Sequence, residues 1–181
     1  MFGLIKKYDV HMCSEVKGVI TLKGKPVEGA VILRNLKFAH RVEKEDQVLT
    51  AADGSFFMPE VVIDSKIPGD MFSHEVTYQY ITVFYNSSEY ELWNCELVGI
   101  EERNEYKEKL NSLIADLSSQ NVDFIFTNHS NKNLNFYGST ICRWKNDFEI
   151  YENEDDIDYF KDFRFRELKI SGDLFSEYCE R

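Results

Sequence analysis

The segment from Asp147 to Asp162 combines many carboxylates with aromatic side chains, which favours a protein-binding surface. Its eight acids are Asp147, Glu149, Glu152, Glu154, Asp155, Asp156, Asp158 and Asp162, and its single base is Lys161. Six apolar residues interrupt the acids, namely Phe148, Ile150, Tyr151, Ile157, Tyr159 and Phe160. Carboxylates steer a basic partner during encounter, and aromatic side chains anchor interfaces. We predict a protein-binding site made of Tyr151, Glu152, Glu154, Asp155, Asp156, Asp158 and Tyr159.

Two other interpretations of this segment stay open. The acids can form the solvated side of a surface strand or helix whose apolar side packs on the rest of the fold. The run 152–158 also has the carboxylate density of a calcium loop, but it lacks the glycine that an EF-hand loop needs at its sharp turn. We therefore predict no metal site.

Cysteine, histidine and glycine spacings give no catalytic pattern. The four cysteines form no Cys-x-x-Cys motif, and the four histidines show no zinc-ligand spacing. Cys142 next to Arg143 is a conceivable nucleophile, because a guanidinium lowers a thiol pKa, but no histidine partner is evident. The glycines are scattered singly, so no phosphate-binding loop is predicted. We expect no catalytic residue, no enzymatic activity and no cofactor.

The charge balance limits the class of partner. A formal net charge of −11 disfavours nucleic acid and anionic membranes, which both require a basic surface. A basic protein is the complementary partner. No run of apolar residues is long enough to span a membrane or to serve as a secretory signal, so we expect a cytoplasmic protein with free thiols. Cys95 and Cys142 are predicted to be buried.

Strand and turn signals dominate the first third of the chain. The segment Val16–Leu22 predicts a strand, which Gly24 and Pro26 end by turning the chain back. Asp53-Gly54 is a strong hairpin signal, and the strand that follows it is expected at residues 55–58.

Further along, periodicity separates strands from one helix. Strands are predicted at 74–85, 89–95 and 123–127, and the charged run 41–47 is predicted to be a solvated loop. An apolar stripe from Tyr106 to Leu117 predicts a helix over 101–119. We expect one domain over 1–181, with a sandwich core at 16–98 and a closing strand and acidic C-terminal elaboration at 120–181.

The run from Gly18 to Leu33, answered by Thr50 to Phe56, resembles the transthyretin-like and carboxypeptidase-regulatory-like β-sandwich domains. The resemblance covers residues 16–60 and implies a mainly β protein, an antiparallel sandwich with one accessory helix. It departs from the family at Ala51-Ala52, where an acidic or polar residue is usual. Related hydrolases of the urate pathway end in Tyr-Arg-Gly-Ser, and this chain ends in Tyr-Cys-Glu-Arg. Such domains mostly act as binding or accessory modules, so the resemblance implies no reaction.

Three short segments resemble a small, uncharacterised family of bacterial proteins: MFGLIKKY at 1–8, KIPGDMF at 66–72 and STICRW at 139–144. Some members are associated with interbacterial competition and type VI secretion, where small acidic proteins neutralise toxins. The resemblance implies a protein-binding function, in its sharper form an immunity protein that occludes a basic toxin effector. The alternative is a small-ligand or carbohydrate-binding module that uses exposed Trp93, Tyr80 or Tyr90.

Overall fold

The computed structural model describes residues 6–70 and 74–151, and this part of the chain is mainly β. The chain divides into two units after residue 150, so all described residues except Tyr151 belong to the first unit. The strands are β1 (Tyr8–Cys13), β2 (Val16–Leu22), β3 (Lys25–Pro26), β4 (Val31–Phe38), β5 (Val42–Leu49), β6 (Ser55–Met58), β7 (Val61–Ser65), β8 (Val76–Tyr85), β9 (Ser88–Val98), β10 (Leu113–Asp116), β11 (Val122–Phe126), β12 (Phe136–Thr140) and β13 (Glu149–Ile150). One α-helix, α1 (Asn104–Leu110), and a 3-10 turn at Ile67–Gly69 accompany them. The predicted fold class is confirmed.

The strands form one large sheet and two small ones. The seven-stranded sheet has the order β13-β11-β12-β9-β8-β4-β5, and every neighbouring pair in it is antiparallel. In the four-stranded sheet β2 pairs with β3, β6 and β10, and the pairing with β10 is parallel. β1 and β7 make a two-stranded antiparallel sheet.

One hydrophobic cluster holds the sheets together. Met12 of β1 and Ile20 of β2 contribute to it from the small sheets, and Ile32, Ile81 and Trp93 contribute from the large one. Each of these side chains is 0% exposed. Their burial is the main favourable term in folding, roughly 1.5–3 kcal/mol for each large apolar side chain.

In the first half of β8, polar side chains are buried and tyrosines face outward, which is the opposite of what hydrophobicity alone suggests. Thr77 and Gln79 are buried, whereas Tyr78 and Tyr80 point outward and are half-buried. Gln79 is accommodated because both polar atoms of its amide have a partner: Nε2 donates to the Met12 carbonyl of β1 at 2.8 Å, and Oε1 accepts from Trp93 Nε1 at 2.9 Å.

The helix predicted over 101–119 is wrong in its second half. α1 ends after two turns, and the chain continues as β10, which pairs with β2. Leu113, Ala115 and Leu117 are buried and Ile114 is exposed, which is the period-two pattern of a strand. The apolar positions fit both periods, and pairing with β2 decides between them.

The charged run 41–47 is not a loop. It forms most of β5, which pairs with β4 over eight consecutive residues. Charged side chains occur in this strand because it lies at the edge of the sheet, where most of them remain in water. On the neighbouring strand β4, the charged side chain of Arg34 is buried, and its charge is neutralised by Asp46 of β5.

The Asp53-Gly54 turn does not close a hairpin. The strand before it pairs with β4 and the strand after it pairs with β2, so the turn carries the chain from the large sheet to the four-stranded one. The turn itself has the expected geometry, since Gly54 has φ +78° and its N–H donates to Ala51 O at 2.8 Å.

Candidate protein-binding face

Of the sequence-predicted binding site, only Tyr151 falls within the described part of the chain. It follows β13 directly and is 41% exposed. Its predicted companions Glu152, Glu154, Asp155, Asp156, Asp158 and Tyr159 lie outside the described residues. The candidate site described below is built from other acids and other aromatic residues.

The outer face of the seven-stranded sheet carries four rows of side chains across β5, β4, β8 and β9. Residues directly opposite one another in antiparallel strands share a face, so the register defines the rows. They are Glu43–Lys37–Tyr78–Glu96, Glu45–Asn35–Tyr80–Asn94, Gln47–Leu33–Thr82–Glu91 and Leu49–Val31–Phe84–Glu89. We call these sixteen residues the acid-aromatic face.

The acid-aromatic face has a strong negative charge around a less polar centre. Its acids are Glu43, Glu45, Glu89, Glu91 and Glu96, and its one base, Lys37, has its Nζ 3.3 Å from Glu43 Oε1. Three of the four β8 residues in the face are aromatic, namely Tyr78, Tyr80 and Phe84. The acids lie to either side of them, on β5 and β9. Aromatic anchors with a charged surround are the composition of a protein interface.

Two of the acids, Glu89 and Glu96, are exposed residues whose carboxylates are nevertheless partly dehydrated by the surrounding protein. Burial raises the pKa of Glu89 above its ordinary value, and the nearby Glu91 raises it further. Burial also raises the pKa of Glu96, an effect that His40 opposes. Carboxylates that are partly dehydrated in the free protein gain more from a cation brought next to them than fully hydrated ones do.

Glu91 differs from these two because its carboxylate is already held. Its Oε1 accepts from Asn121 Nδ2 at 2.9 Å and from the Ser139 hydroxyl, and its Oε2 accepts from Asn94 Nδ2 at 3.1 Å. These bonds connect β9 to β12 and orient the carboxylate. Glu91 therefore provides a fixed negative charge rather than an adaptable contact.

A histidine and a tyrosine mark one end of the face, at the β4–β5 turn. His40 Nε2 lies 3.0 Å from the Tyr78 hydroxyl, and the ring centroids are 4.7 Å apart. His40 and its neighbour Ala39 both have positive φ, at 55° and 50°. Non-glycine residues adopt this conformation at a cost, and the contact with Tyr78 helps to hold the turn.

The residues proposed for small-ligand binding do not form an exposed aromatic pocket. Trp93 is fully buried, so the expectation that it is exposed is wrong. Tyr80 belongs to the acid-aromatic face, whereas Tyr90 lies on the other side of the sheet and packs against the core. A separate cleft of about 230 Å³ lies at the end of β11 and is lined by Ile125, Phe126, Thr127, Asn135, Asp147, Phe148 and Glu149.

A serine–histidine–glutamate cluster resembles a nucleophile site but has the wrong proton arrangement. Ser14 Oγ donates to Glu102 Oε1 at 3.0 Å and lies 3.2 Å from His11 Nε2. The single hydroxyl proton is used on Glu102, so His11 is the donor to Ser14 rather than its base. A serine nucleophile requires the reverse direction. Burial also lowers the pKa of His11, and Lys107 lies 3.0 Å from the other Glu102 oxygen, which makes this a structural cluster.

The described cysteines are protonated thiols inside the core. Cys13, Cys95 and Cys142 are buried and unbridged, which confirms the prediction of burial for the latter two. Burial raises the pKa of Cys13 to about 11 and that of Cys142 to about 12. The Arg143 guanidinium donates to the carbonyl oxygens of Cys142 and Gln120, at 2.8 Å in each case. Nothing in this arrangement favours a nucleophilic Cys142.

Within residues 6–70 and 74–151, no group of three or more His, Cys, Asp and Glu side chains is placed to hold a metal ion. In the same ranges, no helix combines the length and the hydropathy needed to cross a membrane.

The acid-aromatic face was not predicted from the sequence, although a signal for it exists. Its acids come from separate strands, so no stretch of the chain shows the concentration seen at 147–162. The signal is the alternation in 76–85, where Tyr78 and Tyr80 share a face with each other and not with Ile81 and Val83. Finding the acids beside them requires the strand order and register.

Comparison with known families gives one match. A family model described as a domain of unknown function (DUF6795) matches residues 16–120, which is more than half of the chain. The matched region begins with β2 and ends after β10, and so includes the four strands of the acid-aromatic face. No curated protein and no solved structure matches the chain.

Proposed function

The chain belongs to the DUF6795 family of domains of unknown function, and we propose that it is a non-enzymatic protein-binding module that receives a basic protein on its acid-aromatic face. The observation that carries this proposal is the register of β5, β4, β8 and β9, which assembles five glutamates around the outward-facing aromatic residues of β8. The net charge of −11 supports it, because a like-charged partner would be repelled at long range.

Three further observations support binding rather than catalysis. The Ser14 proton is donated to a carboxylate, the described thiols have raised pKa values, and Lys109 is held by the carbonyls of Asn146 and Asp147. Each of these potentially reactive groups is therefore engaged in holding the fold. A transthyretin-like relationship, implied by the motif at 16–60, is part of the proposal and agrees with the sandwich architecture.

We further propose that the partner is a bacterial toxin, which the protein would neutralise by occlusion in the cytoplasm. The support for this sharper form is the resemblance of residues 1–8, 66–72 and 139–144 to a bacterial family associated with interbacterial competition. The buried, unbridged thiols are consistent with a reducing compartment. The predicted C-terminal acids, residues 152–158, would steer the same basic partner.

The test begins by capturing partners of the immobilised full-length protein from the native host and identifying them by mass spectrometry. Binding of the purified partner is then measured by titration calorimetry and stopped-flow mixing at several salt concentrations. The variant Glu45→Lys, Glu89→Lys, Glu96→Lys reverses three charges on the acid-aromatic face. A matched control, Glu28→Lys, Glu60→Lys, Glu108→Lys, makes the same change in net charge at exposed positions elsewhere.

We expect the face variant to lose at least about tenfold in association rate at low salt, and the control to lose much less. Equal losses in both variants would reduce the effect to net charge and overturn the assignment of this face. A third variant reverses Glu152, Glu154, Asp155, Asp156 and Asp158 to Lys and tests the sequence-predicted surface. If only that variant loses binding, the binding surface is C-terminal and the proposal for the sheet face is wrong.

A further inference from the structure

We propose that the basic partner binds by adding an antiparallel strand to the open edge of the seven-stranded sheet, at β5. This inference rests on the proposed function and specifies its binding mode. Among the strands of residues 6–70 and 74–151, β5 is the last in the order of this sheet, and it is eight residues long. Its register with β4 runs without a bulge from Val42 to Leu49, so its free edge is regular enough to accept another strand.

The hydrogen-bond phase shows which backbone groups point away from β4. Thr50 N, directly after β5, donates to Ala30 O at 3.0 Å, so this even-numbered residue is hydrogen-bonded to its partner beside β4; on the other side, Ala39 N donates to Val76 O of β8 at 2.9 Å. In antiparallel strands bonded pairs alternate with unbonded ones, so the even-numbered residues of β5 bond to β4. The N–H and C=O groups of Glu43, Glu45 and Gln47 therefore point outward from the sheet edge.

Those same residues carry the side chains of the outermost column of the acid-aromatic face. A strand added antiparallel to β5 places its own residues opposite Glu43, Glu45 and Gln47, on the same face. Lys or Arg at these alternating positions would meet the two carboxylates directly. Backbone bonds and charge complementarity would then act on the same residues of the partner.

β5 is held rigidly before any partner arrives. Arg34, which is 0% exposed, donates to both oxygens of Asp46 at 2.8 and 2.6 Å and to Pro59 O at 2.8 Å. Beyond the end of β5, Thr50 Oγ1 accepts from Ala30 N at 2.9 Å and donates to Val27 O at 2.7 Å. An edge fixed in this way has little conformational entropy left to lose on binding.

Two other strand edges in the described part are less suitable. β13, at the opposite end of the same sheet, has two residues. The outer side of β10 is already engaged, because Ala115 bridges to Cys142 and Arg143 N donates to Ile114 O. The competing explanation for β5 is protective, since charged residues on an edge strand discourage pairing. The experiment must separate these two roles.

The first probe is the peptide Lys-Val-Lys-Val-Lys-Val-Lys-Val, titrated into the full-length protein and followed by NMR shifts of β5 amides. Two modified peptides carry N-methyl groups either on the lysines or on the valines. With lysines opposite Glu43 and Glu45 in an antiparallel pair, the lysine N–H groups point at β5. We expect N-methylation of the lysines to weaken binding at least about tenfold and N-methylation of the valines to have little effect, since one main-chain bond or more would be lost only in the first.

The second probe is the captured partner with the variant Gln47→Pro. Proline removes an N–H that points to solvent and is tolerated at such edge positions. The variant should fold, lose binding relative to Gln47→Ala, and leave circular dichroism unchanged. If Gln47→Pro does not fold, the two methylated peptides still decide the question on the native protein.

The outcomes separate this inference from the function on which it rests. If charge reversal on the acid-aromatic face abolishes binding while Gln47→Pro preserves it, the face binds the partner but strand addition is wrong. Equal affinities of the two methylated peptides, or no binding by the unmodified peptide, would also overturn strand addition. A concentration-dependent dimer that Gln47→Pro abolishes would identify a second copy of this chain as the occupant, and would likewise overturn it.

Discussion

Asp116 shows how one carboxylate can connect parts of the chain that lie far apart in sequence. Its oxygens accept from Thr21 Oγ1 at 2.9 Å, from Lys23 N at 3.0 Å and from Gly24 N at 2.7 Å, and also from the N–H and hydroxyl of Ser118. Lys23 and Gly24 form the positive-φ turn between β2 and β3, so this residue fastens that turn to the end of β10. Composition indicates an acid here but gives no sign of this role.

The first prediction follows from those bonds. Asp116→Ala should lower the free energy of unfolding by about 1–2 kcal/mol, a value reduced from the sum of its bonds because the site is open to solvent. The bonds lower the pKa of Asp116 below its ordinary 3.8, so its contribution is present above that pH and is lost as pH falls towards the folded-state value. Urea unfolding from pH 7 to pH 3 measures both effects.

The difference in free energy of unfolding between the wild type and Asp116→Ala should therefore become smaller at acidic pH. The stability difference between wild type and variant is expected to be constant from pH 7 to about pH 5 and to shrink below pH 4. Glu28→Ala, at an exposed acid between β3 and β4, serves as a comparison for charge removal alone. A difference that stays constant down to pH 3 would contradict the assignment of the bonds to the ionised carboxylate.

At the level of elements, the strands next to the glycine-containing turns could be predicted from the sequence. The change from α1 to β10, which we call the α1–β10 junction, could not. The strand Val16–Leu22 and the strand at 55–58 were predicted with these bounds, because glycine and proline mark their ends. The apolar positions from Tyr106 to Leu117 satisfy a helix and a strand equally well. Only the partner strand resolves such an ambiguity, and a parallel pairing between residues almost a hundred positions apart leaves no local signal.

A substitution at Gly18 of β2 can test whether β10 packs against β2 after the α1–β10 junction. A Cβ at this position would lie 2.5 Å from Leu113 O of β10 and 2.5 Å from a ring carbon of Phe56 of β6. Gly18→Ala should therefore push β10 or the Phe56 ring away from β2 and destabilise the protein by about 1–3 kcal/mol, measured by chemical unfolding. In an ordinary strand the same change is favourable, since alanine is less flexible than glycine when unfolded.

A paired change can show that the ring is part of the obstruction. Combining Gly18→Ala with Phe56→Leu should recover part of the loss if the Phe56 ring is in the way. Gly18→Ala with unchanged or increased stability would mean that β10 does not pack against β2 at this point. The helix predicted over 101–119 would then again be a possible structure for 113–116.

At the level of the whole molecule, the sequence correctly indicated a β-sandwich, but it did not reveal the acid-aromatic face. The acidic segment at 147–162 is visible because its charges are consecutive. The acid-aromatic face draws four residues from each of four strands, and its acids come together only after β5, β4, β8 and β9 have paired. A surface made of residues from several paired strands cannot be recognised from local sequence patterns, because strand order and register decide which residues share a face.

The last prediction concerns how binding by this face depends on pH, and it rests on the proposed function. Partial dehydration by the surrounding protein raises the pKa of Glu89 and the pKa of Glu96 in the free protein. A basic partner stabilises their charged forms, so binding must lower both values and release protons when it occurs in their titration range. Affinity should therefore increase as pH rises from about 4.5 towards neutrality.

The double variant Glu89→Gln, Glu96→Gln should bind less tightly at pH 7 and show a smaller rise in affinity over this range. Glu28→Gln, Glu60→Gln, which removes two acids outside the face, should retain the full rise. Calorimetry in buffers of different ionisation enthalpy measures the protons released on binding at each pH. Equal proton release by the wild type and the Glu89, Glu96 variant would show that these carboxylates do not meet the partner, because a contact that favours their ionised forms cannot leave proton release unchanged.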